Sequence, residues 1–69
     1  MPITMAEKGV ELEVKKTGGS GEVKRHLQNL GFAENAKVTV ISEFNGNYIL
    51  NVRDCRIALD GSLARLIYV

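Results

Sequence analysis

The side chains with the most chemical potential in this sequence are its sole histidine, His26, and its sole cysteine, Cys55. An imidazole and a thiolate both suit zinc or iron, but a stable centre needs three or four converging donors. These two are separated by several expected strands, and no second His or Cys is present to complete a set. A nucleophilic cysteine would need a base within reach, a third group to orient that base and a positive setting. Asp54 and Arg56 flank Cys55 and offset each other. Cys55 therefore reads as a structural thiol, and His26 as a surface histidine beside a buried helical stripe. The expectation is no catalytic residue, no metal ligand set and no cofactor, hence not an enzyme.

The run Thr17-Gly18-Gly19-Ser20-Gly21 precedes a helical pattern and invites a phosphate-loop reading, because helix amides attract anions. Such a loop needs Gly-x-x-x-x-Gly-Lys-[Ser/Thr], which the chain lacks. The glycines are read as a turn that serves the fold.

The elements around these residues follow from apolar spacing. Val10, Leu12 and Val14 alternate with Glu11, Glu13 and Lys15, which predicts a half-buried strand over 10–16. Glu22 to Leu30 carries Val23, Leu27 and Leu30 at helical spacing, with Ser20 as N-cap and Gly31 as C-terminal stop. Phe32, just beyond, is placed to fold back onto Leu27. Val38 and Val40 open a second strand, Asn45-Gly46 marks a two-residue hairpin, and Tyr48, Leu50 and Val52 form the inward face of a third. Arg53-Asp54 reads as another turn, followed by Ile57 and Leu59 on a fourth strand. Ser62 to Arg65 makes one helical turn, and Leu66 to Val69 a closing strand. The sum is an all-β chain, a small SH3-like barrel of about five strands with one short inserted α-helix, closed so as to hide its edges. An OB-fold is the minor competitor.

With 69 residues, the chain is read as a single domain over 1–69. A hydrophobic fraction of 45%, a charged fraction of 25% and a net charge of +1 describe an ordinary globular domain, without the basic field that nucleic acid attracts. One cysteine allows no internal disulfide, and Met1 to Lys8 lacks the apolar core of a signal peptide. The expected location is cytoplasmic.

Two surfaces are candidates for a partner. Lys24, Arg25 and Gln28 line the helix face opposite its apolar stripe, and Ile41, Phe44 and Ile49 fall off the inward faces around the Asn45-Gly46 hairpin as a small apolar patch. Weak self-association is a further expectation. An alternative is a small-barrel nucleic-acid binder, suggested by Lys24-Arg25-His26 with Tyr48 or Tyr68 to stack on a base.

Taken in order, Gly18-Gly19 and then Gly21 to Phe32, ending in Leu30-Gly31-Phe32, resemble the glycines, helix and Leu-Gly-Phe of the FeoA family. The later Val52 to Leu59, with Ala64 and the final Ile67-Tyr68-Val69, is similar to the family's closing pattern, so the likeness spans nearly the whole chain. Family members often carry Pro-Gly after Leu-Gly-Phe. Here Glu34-Asn35 stands instead, and Asn35 can tolerate a left-handed backbone. The resemblance implies an SH3-like fold and an accessory role in bacterial ferrous-iron uptake. It implies contact with the FeoB membrane permease, which bears a cytoplasmic G-protein domain, and so a place peripheral to the inner membrane, without catalysis.

Overall fold

Alternating apolar residues separated by two-residue turns must fold as a meander, and the middle of the chain does so. The computed structural model describes residues 1–69. Strands β3 (Lys37–Phe44), β4 (Asn47–Val52) and β5 (Cys55–Asp60) pair antiparallel in sequence order. Both connections are tight turns with two positive backbone angles. Asn45 and Gly46 have φ of 52° and 79°, Arg53 and Asp54 of 52° and 63°. That is the geometry whose twist matches the flanking strands.

The strand expected over 10–16 is in fact two. β1 (Glu11–Glu13) lies beside β3, and β2 (Lys16–Thr17) pairs with β6 (Ile67–Tyr68) in a second, two-stranded sheet. Between them the backbone changes partners: the Val14 N–H donates to the Ala36 carbonyl, and the next N–H, of Lys15, donates to the Tyr68 carbonyl. Val14 is fully buried at this corner. The strand count is therefore six, because alternation reports a continuous buried face but not which partner each half finds. Thr17, assigned above to the glycine turn, is a buried member of β2. Val10, assigned to the inward face, is 40% exposed at the start of the segment.

The helix α1 runs Gly21–Asn29. The Ser20 hydroxyl accepts from the Val23 N–H at 3.3 Å, and Leu27 is buried. The C-terminal stop is a Schellman arrangement. The Phe32 N–H donates to the Leu27 carbonyl, the Gly31 N–H to that of Gln28, and Gly31 sits at φ 114°, which a side chain would strain. Phe32 is fully buried in the core with Leu27, as the spacing predicts. Asn35 has φ 73°, so it adopts the left-handed backbone allowed to it. After β5, the four-residue helix α2 (Gly61–Ala64) is capped by Asp60.

Twelve residues form the core, among them Val38, Val40, Leu50 and Val52 from the meander, Leu27 and Phe32 from the helix region, and Ile67 and Val69 from the end. Ile3 belongs to it too, in a 3-10 turn over Ile3–Met5. The opening residues carry no alternation, so this core member had no sequence signal. It is held by reciprocal terminal bonds, Met1 N to the Val69 carbonyl and Val69 N–H to that of Met1.

Candidate functional site

The four-stranded sheet, in the order β1-β3-β4-β5, packs one face on the core and leaves the other outside. Cross-strand register assigns side chains to faces, because residues directly opposite share one. Val40 pairs with Leu50, both buried, and Val38 with Val52, both buried. The next pair is Ser42 with Ile49, so Ile41 is the extra residue of a β-bulge. The bulge inverts the parity of β3. Counting by twos from Val38 and Val40 would send Phe44 into the core, whereas Phe44 pairs with Asn47 on the outer face and is 74% exposed.

Ile41, Phe44 and Ile49 are thus on the outside as expected, with Ile41 39% exposed and Ile49 half-buried. Ala58, opposite Ile49 on β5, is also exposed and adds to this apolar area. It went unnoticed in the sequence because an alanine carries little hydropathy signal. The hairpin tip is fixed by the Gly46 N–H donating to the Glu43 carboxylate at 3.0 Å. Farther along the same sheet, Lys37 meets Glu13 at 3.2 Å, a solvated pair that adds little stability.

Lys24, Arg25, His26 and Gln28 are all exposed on α1. Arg25 and His26 line a shallow open cleft of about 380 Å³ with Glu22, Val23, Asn29 and Leu63 of α2. Lys24 and Gln28 do not line it, and neither do Ile41, Phe44 or Ile49. The structure thus keeps the two candidate surfaces apart. Glu22 beside Arg25 and His26 makes the cleft mixed in charge rather than basic. Of the tyrosines named for base stacking, Tyr48 and Tyr68 are both half-buried, and the Lys16 ammonium sits 5.1 Å from the centre of the Tyr68 ring.

Cys55 is exposed at the first position of β5, not buried as a structural thiol would be. The turn at Arg53-Asp54 brings it to the sheet's end, a placement that local sequence could not signal. No three His, Cys, Asp or Glu side chains come together in a group able to hold a metal ion. The one carboxyl with a displaced titration is Asp60, held below the usual carboxylate range. The Ser62 hydroxyl, donating at 2.6 Å, is the main cause, followed by the Leu63 N–H at 3.0 Å and, more weakly, the charge of Arg65. These are the bonds of an N-cap, a structural task. No helix is long and apolar enough to cross a membrane.

The chain is thus a small two-sheet β structure with a short helix and an apolar patch on the outer face of the larger sheet. The family model for the FeoA domain matches residues 1–69, and the chain belongs to the FeoA family, which is associated with ferrous-iron transport. Among solved structures, the FeoA protein of Chlorobium tepidum superposes with a TM-score of 0.88 at 21% identity, covering 99% of this chain and 67% of that one. The FeoA protein of Stenotrophomonas maltophilia, solved in complex with zinc and described as a prokaryotic SH3-domain protein, gives 0.86 at 20% identity over 100% and 88%. A manganese-dependent transcriptional repressor gives 0.87 at 17% identity, covering 100% of this chain but 40% of that longer one. At these identities the likeness speaks for the fold, which is SH3-like. No curated protein matches.

Proposed function

We propose that the chain is an accessory, non-catalytic protein-binding module of ferrous-iron uptake. It docks on the cytoplasmic part of a FeoB-type permease and is held at the inner membrane through that partner. The contact lies on the outer face of the four-stranded sheet, with Ile41, Phe44 and Ile49 at its centre; Lys24, Arg25 and Gln28 on α1 offer a separate polar contact. The observation that carries this reading is Phe44. It is a large aromatic 74% exposed on a rigid two-residue hairpin, where an unbulged strand would have turned it inward. Aromatic side chains held on rigid elements dominate interface energies. Family membership supplies the transport context.

Calorimetric titration of the chain against the purified cytoplasmic part of the permease gives saturable binding. Phe44→Asp abolishes that binding without moving the melting curve. No heat of binding, together with unchanged ferrous-iron uptake in cells lacking the chain, overturns the reading.

A further inference from the structure

β5 ends the four-stranded sheet, so one of its edges has no neighbour. The phase of its hydrogen bonds can be read directly. The Gly61 N–H donates to the Gly46 carbonyl, continuing the bonded pairs across β4 and β5 through Leu59, Ile57 and Cys55. Arg56 and Ala58 therefore turn both N–H and C=O to the open edge, where β5 has no partner strand, and Asp60 turns its N–H there while its C=O, as the N-cap of α2, serves the helix. All three residues are exposed. Such an edge is a template for another strand unless it is blocked by a bulge, a proline or an inward charge. β5 has none of these; its only irregularity is the cap at its end.

The sequence of this edge is complementary to itself. Reading Arg56-Ile57-Ala58-Leu59-Asp60 against a second copy running the other way sets Arg56 opposite Asp60, Ile57 opposite Leu59, and Ala58 opposite Ala58 on the twofold axis. In that register the free edge-facing groups of both copies meet, making about four main-chain bonds. Opposite charges directly across antiparallel strands stabilise the pair, and like charges oppose it. The small Ala58 lets the backbones approach. The Asp60 carboxylate uses one oxygen for its cap, Oδ1, and keeps the other for the partner's guanidinium.

We infer that two copies of this chain associate through β5, antiparallel and in the register Arg56 to Asp60, to form one continuous eight-stranded sheet. The twofold axis is perpendicular to that sheet, so both Phe44 hairpins lie on the same outer face. One strand edge buries far less than the ~1,000 Å² of a stable interface, so the association is weak and concentration-dependent. The inference stands independently of the permease reading.

Sedimentation of the reduced chain from micromolar to millimolar concentration tests it. The expected result is a weight-average mass that rises from monomer toward dimer. Ala58→Pro removes an N–H that only the second copy would use, so it abolishes the rise while amide exchange shows the β4–β5 ladder intact. Arg56→Asp places like charges opposite each other and weakens association at least about tenfold. A nitroxide on the native Cys55 reports the register. The two Cα atoms lie six residues apart along the strands, about 20 Å at ~3.4 Å per residue, so the label distance centres between about 20 and 35 Å. A monomer at every concentration overturns the inference. So does a dimer that survives Ala58→Pro, or a label distance well outside that range.

Discussion

The two faces of the β3–β4 hairpin come from the same sixteen consecutive residues, Lys37 to Val52, and do opposite things. Val38, Val40, Leu50 and Val52 on the inner face are no more than 2% exposed, whereas Phe44 on the outer face is 74% exposed. Both faces are apolar in part, so hydropathy does not separate them. A single inserted residue, Ile41, does, by moving every later side chain of β3 to the opposite face. The comparison teaches that stability and the proposed docking share an element without sharing residues, so each should be removable alone.

The largest effect should come from the inner face. Leu50→Ala leaves a cavity in the fully buried core and costs about 2–5 kcal/mol, enough to unfold much of so small a domain. Urea denaturation measures this, and a loss under about 1 kcal/mol would mean that the core closes around the gap. Gly31→Ala probes the same face from outside the sheet. Its backbone at φ 114° disfavours any side chain, while the new Cβ would meet Val52 Cγ1 at 3.4 Å, an ordinary contact, so the cost is backbone strain. The expected cost is about 1–3 kcal/mol by the same measurement.

Asp60→Ala acts at the end of β5 and should lower the melting temperature by a few degrees through loss of the α2 cap. The effect depends on pH. Because the folded carboxyl titrates below its unfolded value, its contribution is complete above the unfolded Asp pKa of ~4 and fades as pH falls through the folded value. Wild type and variant should therefore converge in thermal melts as the solution is acidified below pH ~4. The smallest effect on stability belongs to the outer face. Phe44→Asp should stay within about 0.5 kcal/mol of wild type in urea while losing the partner, and a large destabilisation would erase the distinction between the faces.

Much of this was legible in the sequence, and the reasons are local. Asn45-Gly46 and Arg53-Asp54 supply positive backbone angles, and Ser20 and Gly31 bracket α1 with the bonds their types allow. Alternation in Tyr48, Leu50 and Val52 names the inner face of β4, the central strand. Three features were not legible. Ile3 enters the core through bonds between the two chain ends, Val14 marks a change of sheet inside one alternating run, and Cys55 lies exposed where a buried thiol was expected. The first two depend on what packs against the residue from a distant part of the chain, and the third on the sheet ending at the Arg53-Asp54 turn, where Cys55 has no covering layer. Of the candidate site, the hairpin patch was named from sequence, but its separation from the α1 cleft was not.

By itself the sequence determines the turns, the caps, the helix and the alternating strands, because these follow from backbone angles and side-chain periods within a few residues. Only the tertiary structure decides how those strands divide between two sheets and which way β3 faces after Ile41. Partner choice and bulge placement are settled by pairing across the chain, where one extra residue on a strand exchanges inside for outside.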